Sequence, residues 1–195
     1  KENFSPEYAG AVSIFINDTV KKCKYKKNIT IYGNTNLKKK FSKNYVNLNF
    51  YRSILKSSSK SYILEFLKNE DKKKSDIIEF HNRPSYLKFI EKLSYCKKVL
   101  YFHNDPLQMQ GSKSIDERIN LITKLDVIIF NSEWSKSRFI KNLPHILSQS
   151  SKLIIIKKSI DFKKINFKLK KKTIIFVGKL NSAKGYDIFG KSVLP

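Results

Sequence analysis

Short apolar runs rich in β-branched residues recur along this chain, separated by segments of helical period. Residues 29–32, 77–80, 99–102, 127–130, 153–156 and 173–177 each read as a buried strand. This alternation is how βαβ units look in sequence: a parallel strand covered on both faces is apolar throughout, and a crossover helix must return the chain before the next strand. A weaker run at 46–48 adds a short strand. The predicted class is α/β, a Rossmann-like, mostly parallel sheet with helices on both faces.

The helices are patterned to match. Residues 11–23 set Val12, Ile16, Thr19 and Cys23 on one face, and similar faces run through Tyr62, Ile63, Phe66 and Leu67 and through Leu87, Ile90 and Leu93. Ser114 followed by Glu117 predicts a capping box, with Asp116 adding negative charge in the first turn. Ser85 and Ser132 are further N-cap candidates. With 195 residues there is room for one domain and part of another. Residues 1–156 read as a Rossmann-like domain, 157–171 as a lysine-rich linker, and 172–195 as the start of a second α/β domain whose first strand is 173–177.

The formal charge is +24, yet 41% of residues are hydrophobic and 13% aromatic, which excludes a disordered polycation. The charge is lysine, since arginine occurs only at Arg52, Arg83, Arg118 and Arg138. A bias toward lysine, asparagine and isoleucine throughout the genome is the plain explanation. The surface still attracts nucleic acid, anionic lipid headgroups or phosphorylated substrates without selecting among them. Scarce arginine argues against a surface built for base or phosphate clamping. Cys23 and Cys96 have neither zinc nor redox spacing and read as reduced core residues of a cytosolic protein. No apolar run nears the roughly 18 residues of a membrane span, and no signal peptide is recognisable.

In open parallel sheets, ligands bind at the carboxyl ends of the strands. The unusual polar clusters fall there in succession. His81, Asn82, Arg83 and Pro84 follow one strand, and His103, Asn104, Asp105 and Pro106 the next. Asn131 and Ser132 follow the third, and Gly178 and Lys179 the last. Each cluster has a simpler reading as well. His-Asn before Pro is also turn chemistry, the preferred reading for His81 taken alone; Asn131-Ser132 reads as a helix cap. For His103, followed by Asn104 and Asp105 and a polar loop, a site role is preferred. His81, His103 and His145 stand at no metal-ligand spacing, and no nucleophile elbow, Walker loop or dinucleotide glycine fingerprint occurs. Gly10, in a turn feeding the first helix, leaves room for a ligand to approach the backbone.

Taken together these residues resemble the N-terminal half of a retaining glycosyltransferase of the GT-B fold, of the group 1 or family 4 type. Residues 5–12 resemble its glycine loop after the first strand, with Ala9 in place of one glycine. Residues 79–84 and 101–106 resemble its paired strand ends, residues 130–135 its asparagine-serine strand end, and Ile160-Asp161 its crossing between domains. Residues 176–180 with Lys184 and Gly185 resemble its donor signature, Lys179 replacing the usual arginine. A lysine there keeps the charge and loses the bidentate fork. The resemblance also implies a central strand before Lys1 and a donor-binding glutamate pair beyond Pro195, so that the chain as given should not turn over.

The resemblance implies transfer of a sugar from a nucleotide-sugar donor to a glycan or lipid-linked acceptor, in cell-surface polysaccharide synthesis. Gly178, Lys179, Lys184, Gly185 and Gly10 would hold the donor diphosphate, and His103 would face the sugar or the acceptor hydroxyl. His81, Asn82, Arg83, Asn104, Asp105 and Asn131 would line the cleft. No cofactor and no metal is expected, the nucleotide-sugar being a substrate. The expected location is cytoplasmic, compatible with peripheral contact at an anionic inner membrane face, and no specific nucleic acid is expected. The rival readings are a basic nucleic-acid-binding module and a sugar-phosphate isomerase or epimerase.

Overall fold

The computed structural model describes residues 3–50, 57–158, 174–178, 180 and 182–193. The chain divides into two compact units, Lys1–Ser159 and Ile160–Pro195.

In the first unit, helix α1 (Ala11–Lys22) precedes two three-residue strands, β1 (Ile31–Gly33) and β2 (Tyr45–Asn47), which pair in parallel. Helix α2 (Ser58–Lys73) leads to β3 (Ile77–His81), and the one-turn α3 (Leu87–Ile90) to β4 (Lys97–Phe102). Helix α4 (Ile115–Lys124) leads to β5 (Val127–Phe130). Helices α5 (Glu133–Ile140) and α6 (His145–Ser148) lead to β6 (Leu153–Ile155). Strands β3 to β6 form one parallel sheet in sequence order. The α/β, Rossmann-like class is therefore as the alternation predicts. The described strands nevertheless form two sheets, because no ladder among the described residues joins β1 to β3.

The strand period sorts the sheet into two faces. Ile78, Phe80, Leu100, Phe102, Ile128, Phe130 and Leu153 enter one core with Ile63 and Phe66 of α2, Leu87 and Ile90 of α3, Leu121 and Ile122 of α4, and Phe139 of α5. Phe102, Phe130 and Phe139 are fully enclosed, their ring centroids 5.2 to 5.6 Å apart. Burying each such ring stabilises the fold by about 1.5–3 kcal/mol. On the opposite face, Phe15 of α1 packs edge-on against Tyr101 of β4, with centroids 5.2 Å apart.

The helix ends follow local chemistry. Ser114 and Glu117 form the predicted capping box, and Ser132 caps α5 by accepting from the Ser135 N–H. Ser85 caps nothing; Pro84–Tyr86 is a 3₁₀ turn that begins after Arg83, because proline's fixed φ suits a first helical position. Helix α1 is rotated from the expected face. It buries Ser13 and Asn17, while Thr19 is exposed and Cys23, just past its end, is only half-buried. The helix lays a mixed polar surface on its neighbours rather than a purely apolar stripe, so hydrophobic period alone misplaced it. Residue His145 opens the one-turn α6 and is exposed.

In the second unit, residues 174–177 carry no strand, and Ile174, Ile175 and Val177 are 73 to 91% exposed. The sequence pattern predicts a strand here; a parallel strand exists only through a hydrogen-bonded neighbour, and these residues have none among those described. A 3₁₀ turn (Ser182–Lys184) runs into helix α7 (Tyr186–Val193). Most of the expected linker at 157–171, the Ile160-Asp161 crossing and Lys179 lie outside the described residues.

Candidate functional site

Parallel, in-register pairing aligns the ends of β3, β4 and β5, so the residues just beyond them become neighbours. His81 pairs with Tyr101, and the alternation that sends Phe80 and Phe102 into the core sends Glu79, His81, Tyr101 and His103 to the other face. Three residues that follow strands meet here: Asn82 after β3, His103 after β4 and Asn131 after β5.

The asparagines hold the His103 backbone from both sides. Asn82 Oδ1 accepts the His103 N–H at 2.7 Å, and Asn131 Nδ2 donates to the His103 carbonyl at 2.8 Å. Asn82 adopts φ +53°, a left-handed conformation that asparagine tolerates better than most residues, and its own N–H donates to the Tyr101 carbonyl. The two amide side chains thus continue the sheet's hydrogen bonding for one step where the ladder has ended.

The imidazoles are held just as closely. His81 Nδ1 lies 2.8 Å from His103 Nε2, and His81 Nε2 lies 3.1 Å from Glu79 Oε1. Tyr101 stacks on His103 at 4.3 Å with its hydroxyl donating to the Ile156 carbonyl, and Phe15 meets the His103 ring edge-on at 5.0 Å. The Lys158 ammonium stands 5.6 Å from the centroid of that phenyl ring. His103 is 6% exposed, and its Nδ1 is buried with no partner among the described residues. Burial, and then the neighbouring His81 and Lys158, push its pKa down to about 3, so the ring is neutral at physiological pH.

The other rim residues divide by role. Asp105 caps the turn Pro106–Gln108 through the Leu107 N–H and receives two N–H groups from Arg138 of α5, which anchors the loop after β4. Arg83 is exposed and donates to the Asn82 carbonyl; Asn104 is exposed. Gly10 is the N-cap of α1 with φ −87°, so its place in this helix requires no left-handed backbone; it begins the helix that brings Phe15 onto His103. In the second unit, Gly185 takes φ +71° before α7, and a β-carbon on Gly178 would come within 3.9 Å of the Lys184 Cβ. Phe176 packs on Tyr186 and Phe189, which folds this turn back onto the start of the helix.

Sequence reasoning passed over four contributors. Glu79, Phe15 and Lys158 carry no local signature, and only the two-residue strand period links Glu79 to His81. Gly111 has φ +94°, and a β-carbon there would fall 2.6 Å from the Ser85 nitrogen, so this glycine lets the loop after β4 close on the loop after β3. Away from this rim, a cavity of about 380 Å³ opens between Phe4, Asn17, Ile31, Phe41 and Asn44, edged by Lys21, Lys26 and Lys27. Among the described residues no helix is long and apolar enough to cross a membrane, and no group of three or more His, Cys, Asp or Glu could hold a metal ion.

Comparison with protein-family models, with curated proteins and with solved structures finds no match.

Proposed function

We propose that the chain belongs to a retaining nucleotide-sugar-dependent glycosyltransferase, with the His81–His103 rim on its acceptor side and the Lys184–Gly185 turn among its donor contacts. The observation that carries this reading is the rim itself. At the carboxyl ends of three adjacent parallel strands, a neutral, buried imidazole is held at its backbone by two asparagines and at its ring by a second histidine. Such a group can orient a sugar or acceptor hydroxyl without repelling a phosphate. Cleavage of a sugar–phosphate bond leaves negative charge on the nucleoside diphosphate, and the Lys184 ammonium with the free N–H groups at the start of α7 would stabilise it.

The test is titration of nucleoside diphosphates and their sugar conjugates into the chain, with the amides of residues 182–186 followed by NMR. Saturable shifts that Lys184→Ala weakens about tenfold, the worth of one charge-assisted donor, support the reading. Salt-sensitive retention of duplex DNA with no nucleotide-sugar binding would favour the basic nucleic-acid module instead. Interconversion of sugar phosphates would favour the isomerase.

A further inference from the structure

From the geometry we infer that Glu79, His81 and His103 form a proton relay, which presents the buried Nδ1 of His103 as a hydrogen-bond acceptor for a neutral hydroxyl donor. The hydroxyl in question would belong to a sugar or an acceptor if the transferase reading above holds; the relay itself rests on the side-chain contacts alone.

The contacts fix where each proton sits. Glu79 is half-exposed and can only accept, so the His81 Nε2 that faces it at 3.1 Å carries a proton. A neutral His81 then has a lone pair on Nδ1, and the 2.8 Å contact to His103 requires that His103 Nε2 be the donor. A neutral His103 protonated on Nε2 has its remaining lone pair on Nδ1, the atom that is buried without a partner. An acceptor left unpartnered inside a protein is unfavourable, and a bound O–H would recover that loss. That atom is closed to solvent, and Phe15 stands edge-on against its ring, so a donor reaches it only when a neighbouring side chain gives way.

The relay also has a second state. When a hydroxyl gives up its proton, the O–H bond breaks and Nδ1–H forms on His103. The Nε2–H proton of His103 passes to His81 Nδ1, and the oxygen keeps the electron pair. His103 ends neutral, and the positive charge resides on His81, beside the Glu79 carboxylate. The charged groups around the pair favour this direction: Glu79 from β3 attracts the charge to His81, and Lys158 opposes charge on His103, while Tyr101 of β4 is a neutral stacking partner.

The experiment is ¹⁵N NMR of the histidine-labelled chain without any ligand, with exposed His145 as an internal reference. Near neutral pH, where the His103 ring is uncharged, His81 and His103 are both expected as Nε2–H tautomers. Glu79→Leu removes the acceptor that faces His81 Nε2, so the pair should lose its uniform Nε2–H preference and show Nδ1–H tautomers as well. His103 found as the Nδ1–H tautomer in the parent chain, or tautomers unmoved by Glu79→Leu, overturns the relay. Because no nucleotide or sugar is present, these outcomes are separate from those of the nucleotide-sugar titration.

Discussion

Replacing Asn82 separates two effects that one residue combines. Its Oδ1 satisfies the N–H of His103, and its backbone sits at φ +53°. Asn82→Ala leaves a buried N–H without an acceptor, at about 1–3 kcal/mol, and places a β-carbon without a compensating amide in the left-handed region, at about 1 kcal/mol more. The expected loss is about 2–4 kcal/mol. Asn82→Gly removes the same hydrogen bond but relaxes the backbone, so it should cost about 1 kcal/mol less than alanine. Urea unfolding of the three proteins measures both numbers. The His103 amide in Asn82→Gly should also exchange with solvent faster than in the parent. If alanine and glycine were equally tolerated, with neither costing more than a few tenths of a kcal/mol, the assignment of Asn82 as the clamp on His103 would be refuted.

Gly111→Ala should destabilise by about 2–4 kcal/mol, from a positive φ and a β-carbon that meets backbone rather than a movable side chain. Its chemical-shift changes should extend to residues 84–86, and a change confined to 109–113 would contradict the docking of the two loops. Because His103 is held near pKa 3 against 6.5 when unfolded, the unfolded chain binds more protons between those values. The stability from this group is therefore complete above pH 6.5 and declines as pH falls toward 3, with a slope of at most about 1.4 kcal/mol per pH unit. Urea midpoints at pH 8, 6, 5 and 4 should show that slope, and His103→Gln should reduce it; an unchanged profile would argue against a buried neutral ring.

The strands at 77–81, 97–102 and 127–130 were legible because each holds a short β-branched or aromatic run whose alternate residues fill one core, with polar residues confined to the strand starts and to Glu79 and His81 on the other face. Their parallel order followed, since only helical crossovers separate them. The capping box at Ser114 and the cap at Ser132 were legible for an equally local reason: they satisfy orphan N–H groups within one turn. Convergence of His81, His103 and Asn131 on one rim was legible from the carboxyl-end rule.

What the rim groups do to one another was decided only by the fold. The 2.8 Å histidine contact, the asparagine clamps and the loss of water around His103 depend on strand register and on Phe15 arriving from a helix more than 80 residues earlier. The failures share that origin. Helix α1 is rotated because the surface it must match is mixed, and residues 174–177 form no strand because β-propensity expresses itself only against a hydrogen-bonded partner. Sequence by itself determined the elements whose causes lie within a turn or along one strand. Tertiary structure decided protonation, partner choice and the orientation of α1, because burial and hydrogen-bond geometry are properties of neighbours in space.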